Sequence, residues 1–233
     1  MAMDNTLSAK ELFLQDSEMA NNRSIRILLC LCIDCSISMQ LSGAIQQINA
    51  GVIAFLKKVD ANSLARDAAE ICLVTFGNEA RVLCEFGSAE DALKQLSATP
   101  ITARDSETAL AAGVQLAVDQ IEDYRQRLSS VNNNSYTPWL IIISDGDSSE
   151  QDRVVREASD RVQKLLRSFK LKTMCLSMGE GTRSLYDFSI DGQVDRLENL
   201  SVSKFFDNLS RNVSQASRDT VEHGGLKAPT DWH

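Results

Sequence analysis

Histidine is almost absent from this chain of 233 residues, which has only His223 and His233, both near its C-terminal end. A serine hydrolase needs an imidazole base beside its nucleophile, and the rest of the sequence has none to offer. The G-x-S-x-G sequence that presents a nucleophilic serine on a sharp turn is also missing. We therefore do not interpret any of the serines as the nucleophile of a Ser-His hydrolase.

Long apolar runs are missing as well. The longest, Ile25–Ile33, is interrupted by Arg26 and is far shorter than the roughly 20 residues that cross a bilayer as a helix. Residues 1–23 contain acidic residues and no apolar core, which is not the pattern of a secretory signal. The sequence therefore predicts a cytoplasmic protein.

Positive charge is in deficit, with 24 Lys and Arg residues against 32 Asp and Glu residues and a formal net charge of -8. Phosphate backbones and anionic lipid surfaces repel such a chain, so we expect neither nucleic acid nor membrane as a partner. Hydrophobic residues make up 43% and charged residues 24%, which is ordinary globular composition. The length suits one large α/β domain.

The six cysteines do not form a recognisable metal site. Cys30 and Cys32 would share one face of an apolar strand, where cysteine packs as a small apolar side chain. Cys35 stands alone after that strand, and no second C-x-x-C completes a set of four zinc ligands. We expect reduced thiols, most of them buried, with Cys35 the most accessible.

Apolar runs of strand length alternate with segments of helical periodicity from residue 25 onward. The predicted strands are Ile25–Asp34, Glu70–Phe76, Arg81–Phe86, Trp139–Ser144, Leu171–Met178 and Gln193–Leu197, and the predicted helices are Ser42–Val59, Ala89–Leu96, Thr108–Leu128, Glu150–Phe169 and Val202–Ser217. The turn Gly77-Asn78 predicts a hairpin between the second and third strands. The pattern as a whole predicts a doubly wound α/β fold, with a mostly parallel six-stranded sheet, one antiparallel edge strand and helices on both faces. We predict a polar arm over residues 1–24, one domain over 25–218 and a flexible tail over 219–233.

Three segments bring only hydroxyl and carboxylate groups to the carboxyl ends of the predicted strands, where open α/β sheets bind ligands. Asp34, Ser36 and Ser38 follow the first strand, Asp145 follows the fourth, and Thr108 opens the long helix. An extended backbone after the first strand would let residues 34, 36 and 38 converge while residues 35 and 37 point away. Oxygen ligands without histidine or a suitable cysteine favour Mg²⁺, Mn²⁺ or Ca²⁺ over Zn²⁺.

Other interpretations of these segments are open. Asp34 could accept a phosphoryl group, as in phosphatases of the haloacid dehalogenase type, but the general acid expected two residues later is replaced by Ser36. Residues 147–150 could extend the metal site, although we interpret them as the N-cap and acidic first turn of the next helix. Asp105 and Glu107 are interpreted as part of a solvated loop.

The string D-C-S-I-S after the first strand, the threonine opening a later helix and S-D-G after the fourth strand resemble the metal-ion-dependent adhesion site of von Willebrand factor A (VWA) domains. The resemblance covers roughly residues 26–217. Its closing segment is similar to that of bacterial tellurium-resistance-associated (TerY-like) VWA proteins. It implies that Ser36, Ser38 and Thr108 bind a divalent cation directly, and that Asp34 and Asp145 bind it directly or through water. Mg²⁺ is the expected ion, with Mn²⁺ or Ca²⁺ as alternatives.

The resemblance also implies a function. In that family a carboxylate from a partner protein completes the coordination of the ion, so we expect a non-enzymatic module for protein–protein interaction. TerY-like proteins are associated with a protein kinase and a PP2C-type phosphatase, which suggests a bacterial stress-resistance, defence or phospho-signalling system. Two alternatives are a metal-dependent enzyme acting on phosphate esters and a structural subunit with a degenerate metal site.

The chain departs from the family pattern at two places. Ile37 stands between the two serines, where the family usually has glycine, and Ser106-Glu107 replace the Gly-Gly that usually precedes the threonine. Neither change removes a ligand. The carboxylate of Glu107 could compete with a partner's carboxylate for the ion.

Overall fold

A computed structural model describes residues 25–179, 183–197 and 201–223 of the chain. The predicted N-terminal arm and residues 224–233 of the predicted tail lie outside these ranges. Within them the chain forms six strands in one sheet, eight α-helices and one turn of 3-10 helix. No helix in this part of the chain is both long enough and apolar enough to span a membrane.

The strands are β1 (Ile27–Asp34), β2 (Ala69–Phe76), β3 (Ala80–Gly87), β4 (Trp139–Ser144), β5 (Lys172–Ser177) and β6 (Val194–Arg196). Their order across the sheet is β3-β2-β1-β4-β5-β6; β2 and β3 are antiparallel, and the other neighbours are parallel. The predicted sheet, with its antiparallel edge strand, is confirmed. The strand order reverses between β1 and β4, and open α/β sheets form their ligand crevice at such a switch point.

The helices are α1 (Ile37–Leu41), α2 (Ala44–Ala61), α3 (Ser63–Ala68), α4 (Ala89–Ala98), α5 (Leu110–Ser130), α6 (Asp152–Arg167), α7 (Arg183–Tyr186) and α8 (Ser201–His223). The longer helices α2, α4, α5, α6 and α8 were all expected, with slightly different ends. The sequence pattern does not predict α1, α3 and α7, which have five, six and four residues and are too short to show a helical period.

β1 is buried along its whole length because helices cover both faces of the sheet. Leu29 and Leu31 point into one core cluster, which α2, α4 and α8 complete. Cys30 and Cys32 point together into the other cluster, against α5 and α6. Successive residues of a strand point to opposite faces, so a strand covered on both sides has an uninterrupted apolar sequence.

Cys35 is buried, and the expectation that it would be the most accessible thiol is wrong. Its side chain is 7% exposed, and its Sγ lies 3.8 Å from the carbonyl oxygen of Ile33. Burial, with the charges of Asp34 and Asp105, raises the pKa of Cys35 to about 12. All six cysteines are buried and free, so each of them packs as an apolar side chain.

Candidate metal centre

The loops that carry the five candidate ligands meet at one edge of the sheet. Asp34 is the last residue of β1, and Asp145 directly follows β4, the parallel neighbour of β1. The loop before α5 joins them through the backbone: the N–H of Ile37 donates to the carbonyl oxygen of Asp105 at 2.7 Å. The switch point of the sheet thus positions three separate segments around one place.

The carboxylate of Asp34 is fully buried and accepts two hydrogen bonds. Oδ1 accepts from the backbone N–H of Ser36 at 2.7 Å, and Oδ2 accepts from the hydroxyl of Ser144 at 2.5 Å. Burial raises the pKa of Asp34; the hydrogen bonds partly offset this rise, and the charge of Asp145 adds to it. In the described part of the chain no lysine or arginine forms an ion pair with Asp34. Its negative charge is therefore balanced only by hydrogen bonds, which favours the approach of a cation.

Two serine hydroxyls link this region to the loop after β4. The Oγ atoms of Ser36 and Ser38 lie 3.0 Å apart, and the hydroxyl of Ser38 donates to Oδ1 of Asp145 at 2.7 Å. Burial raises the pKa of Asp145, and the hydrogen bond from Ser38 lowers it. Asp34, Ser36, Ser38 and Asp145 therefore form one continuous chain of hydrogen-bonded groups.

The backbone between the two serines is not extended throughout, as the sequence analysis assumed. Ser36 is extended, with φ -64° and ψ 156°, but α1 begins at Ile37 and contains Ser38. The serine hydroxyls meet across the first turn of this helix. Cys35 points into the core, and Ile37 is 43% exposed.

Backbone hydrogen bonds fix the position of Thr108. Its N–H donates to Oγ of Ser149 at 3.0 Å, and its carbonyl oxygen accepts from the N–H of Ser149 at 3.1 Å and from the hydroxyl of Ser148 at 3.2 Å. The residues after Asp145 thus fix Thr108, which lies directly before Ala109, the N-cap residue of α5. The role of the Thr108 hydroxyl as a direct ligand remains a prediction.

The interpretation of residues 147–150 as the N-cap of the following helix is wrong. Gln151 is the N-cap residue of α6, and its side chain forms no capping hydrogen bond. Glu150 instead caps α5: its carboxylate accepts from the N–H of Ala111 at 2.6 Å and of Ala112 at 3.1 Å. Asp147 accepts from the N–H of Ser184 in α7 at 3.1 Å. These acidic residues therefore hold neighbouring elements in place around the centre.

Replacing Glu150 with alanine is expected to lower the free energy of unfolding by about 1–2 kcal/mol, because two backbone N–H groups of α5 lose their acceptor. Urea denaturation of the metal-free protein measures this loss. Glu157→Ala is the matched control, since Glu157 lies on α6 with its side chain 64% exposed. We expect the control to change stability by less than about 0.5 kcal/mol. Equal stability of the two variants would show that the cap does not stabilise α5.

Asp105 is partly buried and organises the loop before α5, so it is more than a solvated loop residue. Its Oδ2 accepts from the N–H of Asn78 at 3.1 Å. A Cβ at Gly77 would lie 2.2 Å from the same oxygen, so only glycine fits there. Glu107 is exposed, and its backbone N–H donates to Oδ1 of Asn78 at 3.0 Å. Its competition for the ion remains a prediction.

The sequence analysis missed Ser144, which is fully buried at the end of β4 and donates to Asp34. A serine ending an apolar strand directly before an aspartate was the available signal. Its hydroxyl also lies 3.2 Å from the carbonyl oxygen of Gly146 and so joins β4 to the turn after Asp145. Ser144 thus orients the buried carboxylate from the neighbouring strand.

The donor chemistry of the centre fits a small, hard cation. It offers two carboxylates and several hydroxyls, the oxygen groups that bind Mg²⁺, Mn²⁺ and Ca²⁺. Among the described residues no three His, Cys, Asp or Glu side chains cluster as a metal site. An ion held here would therefore depend on serine and threonine oxygens in addition to Asp34 and Asp145.

The chain matches a known family of domains over about half of its length. The family model for the von Willebrand factor type A domain matches residues 29–148, a range that contains all five candidate ligands. No curated protein sequence matches the chain.

Several known structures share the fold at low sequence identity. The von Willebrand factor domain of the type V pili tip protein Mfa5 from Porphyromonas gingivalis is 12% identical with a TM-score of 0.63, covering 89% of this chain and 99% of that chain. Proximal thread matrix protein 1 from the mussel byssus, with a zinc-occupied MIDAS motif, is 14% identical with a TM-score of 0.58, covering 82% and 48%. The pilus adhesin SpaC from Lactobacillus rhamnosus GG is 10% identical with a TM-score of 0.61, covering 82% and 30%. This chain thus spans about half of the mussel protein and less than a third of the adhesin, and the likeness extends to the fold alone.

Proposed function

Because this chain belongs to the von Willebrand factor type A domain family, we propose that it is a non-enzymatic module that binds a partner protein through a divalent cation. The observation that carries the proposal is the hydrogen-bonded chain from Asp34 through Ser36 and Ser38 to Asp145. These groups are oxygen donors at the switch point of the sheet, and no lysine or arginine in the described part of the chain pairs with either carboxylate.

The residues that would hold the ion are Asp34, Ser36, Ser38, Thr108 and Asp145, and Mg²⁺ is the proposed ion, with Mn²⁺ or Ca²⁺ as alternatives. A bound ion would supply an electrophilic site for a carboxylate of the partner. Asp34, one of the residues that would hold the ion, is itself oriented by hydrogen bonds from the hydroxyl of Ser144 and the N–H of Ser36. The mussel protein with a zinc-occupied MIDAS motif supports metal binding by this fold.

The biological setting is proposed on the resemblance to TerY-like proteins. We assign the module to a bacterial stress-resistance, defence or phospho-signalling system, with a protein kinase or PP2C-type phosphatase system as the source of partners. The structural neighbours include a pilus tip protein and a pilus adhesin, which supports an interaction role and leaves the cytoplasmic location a prediction.

Crosslinking mass spectrometry in the native host tests the proposal. Wild-type protein is expected to crosslink to a partner in Mg²⁺, and EDTA or Asp34→Asn should remove that crosslink. Asp160→Asn is the matched control, because Asp160 is exposed on α6. A partner captured equally by wild type, by Asp34→Asn and in EDTA would contradict metal-dependent binding, and turnover of a phosphate ester by the purified protein would contradict a non-enzymatic role.

A further inference from the structure

Two large apolar side chains lie exposed beside the metal centre. Ile37 is 43% exposed and Leu41 is 81% exposed, and both belong to α1, the short helix that contains Ser38. Residues four apart share one face of a helix, so Ile37 and Leu41 are neighbours. Met39 is the buried residue of this helix. The helix thus buries one apolar side chain and leaves two others in water; we call Ile37 and Leu41 the apolar patch.

Scattered exposed apolar residues are ordinary on protein surfaces, but adjoining ones mark interaction sites. In the described part of the chain six large apolar side chains are exposed, and two of them lie in this helix of five residues. Ile37 directly precedes Ser38 in α1. Its position next to Ser36 and Ser38 makes it continuous with the centre.

We propose that the apolar patch binds an apolar side chain close to the partner's acidic residue, so that the module recognises an acidic residue together with an apolar neighbour. This inference rests on the proposed function, which places a partner carboxylate at the ion. Leu41 lies three residues beyond Ser38, a rise of about 4.5 Å along α1. Alternate residues of an extended peptide are about 6.6 Å apart and point to the same side. A carboxylate at the centre therefore brings the side chain two positions away to the patch.

The charges around the centre favour the same partner sequence. Asp145 is partly exposed, and Glu107 is exposed in the loop before α5. A second acidic residue next to the first would be repelled by these two carboxylates without the ion to balance its charge. An apolar neighbour avoids the repulsion and removes the patch from water, which favours binding.

A synthetic peptide library with a fixed central glutamate and randomised flanking positions tests the proposal. Immobilised wild-type protein is expected, in Mg²⁺, to select peptides with a large apolar residue within two positions of the glutamate. Leu41→Ser should lower this apolar enrichment about tenfold and still select glutamate in a Mg²⁺-dependent way. Leu64→Ser is the matched control: Leu64 lies on α3 and is 39% exposed. It should behave as wild type.

The possible outcomes distinguish the role of the patch from the role of the metal. Mg²⁺-dependent selection of glutamate with no apolar preference, or an equal preference in Leu41→Ser, would overturn the role of the patch and leave the proposed function standing. Selection that does not depend on Mg²⁺ would overturn the proposed function and the patch together. Equal losses in Leu41→Ser and Leu64→Ser would show a general surface effect and overturn the patch.

Discussion

Replacing Arg26 with methionine is expected to lower the free energy of unfolding by about 3–5 kcal/mol, the cost of removing one partner of a buried ion pair. Nη1 of Arg26 lies 3.1 Å from Oε1 of Glu70, and the two side chains are 7% and 10% exposed. The same nitrogen donates to the carbonyl oxygen of Asp67 at 2.7 Å. Methionine keeps most of the apolar packing but leaves Glu70 without this cation. Urea denaturation at neutral pH measures the loss.

The loss of stability in Arg26→Met, which we call the deficit, should depend on pH. Burial raises the pKa of Glu70 above its ordinary value of 4.5, and Arg26 lowers it, so the variant's Glu70 should have a still higher pKa in the folded state. A carboxyl group with a raised folded pKa favours the fold at low pH and loses that contribution as the pH rises through the folded pKa. The deficit of Arg26→Met should therefore shrink as the pH falls from 7 toward 4.5.

The double variant Arg26→Met/Glu70→Gln is the control for the charge. It removes the buried carboxylate that has lost its ion-pair partner and should recover at least half of the lost stability at pH 7, because replacing both members of a buried pair costs far less than replacing one. A double variant as unstable as Arg26→Met would show that lost packing, and not the buried charge, causes the effect.

Mg²⁺ should stabilise wild type against unfolding and leave the stability of Asp34→Asn unchanged. A ligand that binds only the folded state adds RT ln(1 + [L]/Kd), about 2.7 kcal/mol at a hundredfold excess of Mg²⁺ over Kd. Asp34→Asn should lose this increment, because a neutral amide replaces the buried carboxylate. Without metal the variant should be at least as stable as wild type, since asparagine can still accept from the N–H of Ser36 and can donate to Ser144.

Thermal unfolding with Mg²⁺ and with EDTA measures both effects. Asp160→Asn, on the exposed face of α6, should keep the full increment. An Asp34→Asn protein that fails to fold would show that this carboxylate is required by the scaffold itself. The same Mg²⁺ increment in wild type and Asp34→Asn would place the ion elsewhere.

Most of the fold follows from local sequence. Strands such as β1 and β4 are continuous apolar runs, which is the sequence pattern of a strand covered on both faces. The pair Gly77-Asn78 identifies the connection between β2 and β3, which spans residues 77–79, and glycine fits there because a Cβ at Gly77 would collide with the side chain of Asp105. Helix ends are less well determined, since the last turns depend on contacts with distant residues.

The candidate site could likewise be predicted only in part from the sequence. The positions of Asp34, Ser36 and Asp145 at or just beyond the ends of apolar strands can be predicted from the sequence, because parallel strands bring their carboxyl ends to one edge. The cap that Glu150 provides to α5 joins residues 39 positions apart, so no local pattern reveals it. The burial of Cys35 depends likewise on how the chain turns from β1 into α1.

Equilibrium dialysis of the metal-free protein against millimolar Mg²⁺, with Asp34→Asn in a parallel cell, tests the central claim most directly. If Asp34, Ser36, Ser38, Thr108 and Asp145 form the site, wild type should retain one ion per chain above the bulk concentration, and Asp34→Asn should retain none. No retained ion in wild type, or equal retention by both proteins, would contradict the assignment.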